Sequence, residues 1–164
     1  MDTERLKIVA SRLLVVFFVC GFLIAAIIYL NSRWEKIRDI RRLADASSIV
    51  KALDYYNLQF GAYPDNTDDD GQGWDKTNDP TDRKFLEPLM KVGLLPNLVF
   101  DPKNDSNYYY RYQKFAAGDY GCDRPYVIFQ VTSFEEKEPT GSGRCPQINW
   151  TTLAPKGYTW QSRD

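Results

Sequence analysis

Hydrophobic and polar positions divide the chain into sharply different zones. Leu13 to Leu30 (LLVVFFVCGFLIAAIIYL) is a run of eighteen residues without a charge. As a helix it is roughly 27 Å long, close to the roughly 30 Å hydrocarbon core of a bilayer. No small-x-small cleavage pattern follows, and apolar residues continue through Ile27, Ile28 and Tyr29. This predicts a retained single-pass anchor rather than a cleaved signal. Arg12 stands at one edge, where its long side chain reaches the headgroups, and Tyr29 and Trp34 suit the opposite interface.

Between Glu35 and Phe60 there is neither Pro nor Gly, and apolar residues recur at helical spacing in two stripes. The upper stripe is Ile37, Ile40, Leu43 and Ala44, opposite Arg38, Arg41, Arg42 and Asp45. The lower is Ala46, Ile49, Val50, Leu53, Tyr56 and Phe60, opposite Ser47, Ser48, Lys51 and Asp54. The spacing predicts one helix of about 55 residues, transmembrane then amphipathic, with Gly61 as its C-cap. The lower stripe is expected to pack on a sheet. The upper one, turned the other way, is expected to meet neighbouring subunits.

Residues 62–82 are polar, acidic and rich in turn formers, hence a loop. A short helix is expected over Arg83–Val92, with Leu86, Leu89 and Met90 inward and Pro88 working against it. Alternation predicts strands over Asn107–Phe115 and Tyr126–Phe134, joined by a hairpin loop at 116–125. Weaker strand signals lie at Ile148–Leu153 and Gly157–Gln161, after the polar stretch EEKEPTGSGR. A long helix followed by sequential strands implies an α+β fold, the helix packed on a small antiparallel sheet. The domain plan is a cytoplasmic segment 1–12, a transmembrane helix 13–30, and a head 31–164 that includes the helix continuation 31–61.

Composition removes several chemistries. The 164 residues contain no histidine, which excludes Ser-His-Asp and Cys-His catalysis and any imidazole switch. Formal charge is −1, so no basic field recruits nucleic acid. Three cysteines include no CxxC pair. Cys20 lies within the span. Cys122 and Cys145 lie in the soluble part near turn signals, and a bridge between them would close a loop of about 24 residues, worth roughly 3 kcal/mol. That pairing argues for a head outside the cytoplasm. The basic residues argue the other way: Arg5, Lys7 and Arg12 precede the span, while Arg33, Lys36, Arg38, Arg41 and Arg42 follow it. The expected placement is single-pass in a membrane, with the N-terminus inside and the head extracytoplasmic.

The order of parts resembles the type IV pilin superfamily, most closely the major pseudopilins of type II secretion systems. ALDYYNLQFGAYP (Ala52–Pro64) resembles that family's pattern at the end of its long helix. Leu94-Leu95-Pro96, then Asp101-Pro102, then the tyrosines Tyr108–Tyr112, follow the order seen before the family's sheet. RLLVVFFVCGFLIAAII is laid out like the family's hydrophobic N-terminal helix. The resemblance covers about residues 8–134. It implies a pilin-like fold and a structural role in a bacterial cytoplasmic membrane, assembled with other pilin-like subunits or secretion-machine components, with Arg12, Ile37, Ile40 and Leu43 at the assembly interface.

The N-terminus departs from the family pattern. Aligned on the span, Lys7 and Ile8 fall where the leader ends and the mature chain starts, and Arg12 occupies the place of the family's glutamate. A buried arginine adds a like charge where the family supplies a counter-charge for a neighbour's amine. A second register, Gly21-Phe22, puts Ala26 at the glutamate position. The expectation is therefore a minor or non-polymerising subunit. The alternative is a membrane-tethered extracytoplasmic binding module on the same scaffold, for calcium, a glycan or a protein partner.

One segment has the makings of a metal site. Asn66-Thr-Asp68-Asp-Asp70-Gly71 fits the first half of a calcium loop, with alternating oxygen ligands before a glycine. Asp75, Asn78 and Asp79 are placed to complete the shell, while Thr77 stands where an EF-hand has its glutamate. Asn66, Asp68, Asp70 and Asp75 are thus the candidate Ca²⁺ ligands in the 65–79 loop, which reads equally as a solvated acidic loop. The tyrosines of 108–112 read as sheet surface and core, and Glu135, Glu136 and Glu138 as a polar loop. Asn104-Asp-Ser106 and Asn149-Trp-Thr151 match the N-glycosylation pattern. No enzymatic activity and no small-molecule substrate are expected.

Overall fold

A computed structural model describes residues 3–67, 73–79 and 84–162, with side chains from Arg12 onward. Its first helix, α1 (Thr3–Phe60), runs for 58 residues without a break. The chain divides into two compact units, Met1–Ile37 and Arg38–Asp164.

In the first unit the apolar run is helical, and its side chains are not covered by the protein; Phe17 and Phe22 are each 74 % exposed. The helix is long and apolar enough to cross a membrane. At its far edge the Arg33 guanidinium donates to the Tyr29 hydroxyl one turn earlier.

The second unit is an α+β head, with part of α1 packed on a small, mostly antiparallel sheet. Helix α1 stops where expected: Gly61 takes φ 74° and its N–H donates to Asn57 O at 2.8 Å. That left-handed backbone is costly for a residue with a Cβ and free for glycine. The remaining elements are β1 (Asp75–Lys76), α2 (Glu87–Lys91), β2 (Tyr110–Phe115), β3 (Tyr126–Val131), β4 (Thr140–Ser142), β5 (Arg144–Cys145), β6 (Ile148–Asn149) and β7 (Tyr158–Gln161). Short 3₁₀ turns lie at Asp119–Gly121 and Trp150–Leu153.

The main sheet has the order β1-β2-β3-β7-β4. Its first three pairings are antiparallel, while β4 runs parallel to β7. The parallel edge departs from the expected all-antiparallel sheet. It arises because the chain leaves β4 through the separate β5–β6 ribbon and returns as β7 in the same direction. The contact is tight. A Cβ on Gly141 would lie 1.9 Å from Thr159 O, so no larger residue fits there.

Strand β3 separates two cores. Val127, Phe129 and Val131 join Ala46, Ile49, Ala52 and Leu53 of α1, together with Tyr110, Tyr112, Phe85, Leu86 and Leu89. Ile128 instead joins Phe115, Tyr126, Cys145 and Trp150. Each fully buried aliphatic or aromatic side chain contributes roughly 1.5–3 kcal/mol through removal from water. The lower helical stripe is therefore core down to Leu53, with Tyr56 half-buried and the Phe60 ring tilted against it, centroids 4.5 Å apart.

Three local boundaries differ from the sequence pattern, each for a physical reason. Strand β2 starts at Tyr110 rather than Asn107, because Asp105 Oδ1 accepts from the N–H groups of Asn107 (2.8 Å) and Tyr108 (3.0 Å) and holds them in a bend. Strand β3 ends at Val131 rather than Phe134. Beyond it Phe134 N–H turns to Lys156 O at 2.6 Å. Helix α2 shrinks to Glu87–Lys91, since Pro88 fits only the first helical turn and Leu86 before it is left-handed (φ 51°).

Candidate functional site

The most heavily built polar site in the head lies on the upper, charged part of α1. Arg42 is fully buried. Its guanidinium donates through Nε and Nη2 to Asp101 at 2.7 and 3.0 Å, and through Nη1 to Asp39 and Glu135, both at 2.8 Å. The Tyr108 ring lies against it, 4.7 Å from the guanidinium carbon. Four of the five N–H donors of an arginine are thus committed, to carboxylates from three segments of the chain.

Each partner is tied in turn. Glu135 also accepts from Arg38 Nε at 2.6 Å and from Lys103 Nζ at 2.7 Å. The Lys103 ammonium lies 4.3 Å over the other partner of this cluster, the Tyr108 ring. Asp39 collects the backbone N–H groups of Glu135, Glu136 and Lys137 at 2.9–3.1 Å. Asp101 Oδ1 accepts from Lys103 N–H at 2.8 Å, closing the Asp-Pro turn. One turn further along α1, the Tyr110 hydroxyl donates to Asp45 at 2.9 Å.

The electrostatics follow from this enclosure. Burial alone would lower the Arg42 pKa, but Asp101, Glu135 and Asp39 raise it above the ordinary arginine value, so it stays charged. Burial pulls the Glu135 carboxyl up, yet Arg38, Lys103 and Arg42 outweigh it and hold it down at about 2. Asp39 is also held below the usual carboxylate range: the N–H groups of Glu136, Glu135 and Lys137 and the Arg42 guanidinium overcome its desolvation. Asp45 goes the other way, pushed up by burial despite the Tyr110 hydroxyl. Because its charges are spent on one another, the cluster locks segments together; it does not offer a poised acid or base.

No protein-family model, curated protein or solved structure matches this chain.

The hub corrects the reading of the upper stripe. Arg42, placed on the polar side opposite that stripe, is buried together with Asp39, and Leu43, expected at the assembly interface, packs against the head's own core. Paired charges fill the inward face of these turns. Ile40 stays 67 % exposed, Ile37 53 % exposed, and Arg12 is also exposed. Glu135, read as part of a solvated loop, has a side chain only 3 % exposed. The sequence signal for the hub was the Asp101-Pro102 turn and the run of arginines at 38, 41 and 42. Which carboxylates would meet them, across 59 and 93 residues, carried no local signal.

Of the candidate calcium ligands, Asp68 and Asp70 lie outside the described residues. Asn66 and Asp75 serve the fold. Asn66 Oδ1 accepts from Lys114 N–H at 2.8 Å and its amide donates to Gly73 O. Asp75 is buried in β1, its Oδ2 accepting from Thr67 N–H at 2.9 Å and Oγ1 at 3.2 Å. These bonds draw the two ends of the acidic loop together. Among the described residues no group of three or more acidic or cysteine side chains converges on a common metal position.

Cys122 and Cys145 form a disulfide, with Cα atoms 5.3 Å apart. It ties the β2–β3 connection to β5 beside an aromatic cluster in which Trp150 meets Phe115 at 4.8 Å and Tyr120 at 4.9 Å. Cys20 is a free thiol. The tyrosines of β2 are core: Tyr112 donates to Pro64 O at 2.6 Å, and Tyr110 is equally buried.

Proposed function

We propose that this chain is a membrane-anchored, pilin-like structural subunit, a minor or non-polymerising member of a type II secretion or type IV pilus-like assembly. One observation carries the reading. A single 58-residue helix bears an uncovered apolar span, and its later turns supply the core face Ala46–Ile49–Leu53 under a mostly antiparallel sheet. A soluble domain gains nothing from such an exposed apolar span, whereas a membrane covers it. The motifs around Gly61 and Asp101-Pro102 support the pilin-like reading, since one ends the helix and the other anchors the hub. Arg12, in place of a counter-charge carboxylate, is the reason for a minor or non-polymerising role.

The head is assigned to the extracytoplasmic side. The Cys122–Cys145 bridge fits an oxidising compartment. Two of the five basic residues that follow the span, Arg38 and Arg42, have a structural purpose inside the head. Without them the count is three before the span (Arg5, Lys7, Arg12) against three after it (Arg33, Lys36, Arg41), which no longer favours a cytoplasmic head.

The deciding experiment combines two measurements on protein extracted from its native membrane. Intact mass and N-terminal residue report processing: a start at Ile8 or Phe22 supports membership of a filament, and a start at Met1 supports a permanent, non-polymerising subunit. A photo-crosslinker at Ile40 reports lateral neighbours. Absence of any adduct in the intact membrane would overturn the assembly reading.

A further inference from the structure

The two N-glycosylation patterns have opposite surroundings in the fold. In Asn104-Asp-Ser106 the Asn104 amide is part of the interior: Nδ2 donates to Thr77 O at 2.8 Å and Oδ1 is enclosed. A sugar on that nitrogen would displace the Thr77 bond and enter the region between β1 and the Asp-Pro turn. In Asn149-Trp-Thr151 the asparagine is exposed and caps the 3₁₀ turn Trp150–Leu153. Its Oδ1 accepts from Thr151 N–H at 3.2 Å and from the Thr151 hydroxyl at 2.8 Å. Among the described residues no hydrogen bond engages its Nδ2. The cap uses the amide oxygen and leaves the amide nitrogen to solvent.

We propose that Asn149 is a glycan acceptor, modified at Nδ2 by an oligosaccharyl transferase of the compartment that holds the head. The chemistry balances without a redox partner. Nδ2 forms a bond to the anomeric carbon of a lipid-linked glycosyl pyrophosphate, and the bond from that carbon to the pyrophosphate oxygen breaks. The lipid pyrophosphate leaves with the electron pair, and the proton lost from Nδ2 passes to a base of the transferase. The amide oxygen is untouched, so the cap survives with the sugar attached. Trp150, between the two key residues, is 1 % exposed in the finished fold. The exposed Asn149 amide, not that ring, is what the finished fold offers the transferase.

The proposal rests on the extracytoplasmic placement of the head, and the test separates the two. Full-length protein is taken from its native membrane, digested without reduction, and the Asn149, Asn104 and Cys122–Cys145 peptides are weighed. The expected result is a bridged cysteine pair and a glycan mass on the Asn149 peptide alone. That mass is lost completely in Asn149→Gln and in Thr151→Ala, is retained in Thr151→Ser, and is unchanged in Asn104→Gln. A bridged pair with an unmodified Asn149 peptide would overturn the modification and leave the placement standing. Two free thiols would overturn both. A glycan on Asn104 would overturn the structural distinction drawn between the two sites.

Discussion

Arg42 and Asp101 meet through two parallel hydrogen bonds, at 2.7 and 3.0 Å, with both side chains closed to solvent. The fork-to-carboxylate geometry fixes orientation as well as distance. It holds the Asp-Pro turn on α1, and through Glu135 the same guanidinium holds the loop after β3. Removing only the cation would take the shared guanidinium from three buried carboxylates. Arg42→Met should therefore destabilise the protein by roughly 3–5 kcal/mol. Arg42→Lys should cost less, since it keeps the charge but loses the fork. Urea unfolding followed by tryptophan fluorescence checks this; a wild-type midpoint for Arg42→Met would remove the hub from the account of stability.

The same cluster sets an acid limit. Glu135 and Asp39 both titrate lower in the folded chain than in the unfolded one. Their contribution is complete above the unfolded carboxylate pKa, and it is lost as pH falls from about 4.5 to about 2. Glu135 alone accounts for about 3 kcal/mol over that window. Asp45, raised by burial, works in the opposite sense. The urea midpoint should hold steady from pH 7 to about pH 5 and then drop. Glu135→Gln should start lower at neutral pH and show a shallower fall.

Reduction should weaken the second core more than the first. The Cys122–Cys145 bridge spans a sequence separation of 23 and lies against Trp150. A closed loop of that size is worth about 3 kcal/mol. Cys122→Ser/Cys145→Ser should lower the unfolding midpoint accordingly and shift the tryptophan emission. An unchanged midpoint under reductant would show that the aromatic packing alone holds this end.

Two glycines should be intolerant of alanine for steric reasons. A Cβ at Gly141 would lie 1.9 Å from Thr159 O, and one at Gly157 would lie 1.9 Å from Val131 O. Either contact is far inside van der Waals distance, so a strand must move. Gly141→Ala and Gly157→Ala should each cost more than about 2 kcal/mol. Gly93→Ala, with a positive φ but open space around it, should cost less. Thermal unfolding of the three variants gives the ranking.

How much was readable in advance depended on the range of the interaction. Local signals were sound. The glycine at 61 ended the helix, and the alternation of Val127, Phe129 and Val131 against Ile128 marked a strand. The spacing of Ile49 and Leu53 marked a buried face, and Cys122 and Cys145 proved close enough to bridge. Long-range charge pairing was not readable, because periodicity assigns every Arg and Asp to the solvent side. Nothing in that rule marks Arg42 or Asp39 as buried, and it put Leu43 at a subunit contact. The polar segment around Thr140–Ser142 showed no strand pattern either, since backbone pairing with β7 rather than side-chain burial makes it a strand. Of the candidate site, the ends of the acidic loop were located and its centre lies outside the described residues.

The sheet finishes in two very short strands, β1 with two residues and β4 with three. An incoming chain would find only a few free backbone donors and acceptors on either side, and a glycine kink at 141 on one of them. Edges this short are poor templates for a further strand. The head is thereby guarded against zipping edge to edge with other copies, even at high local concentration.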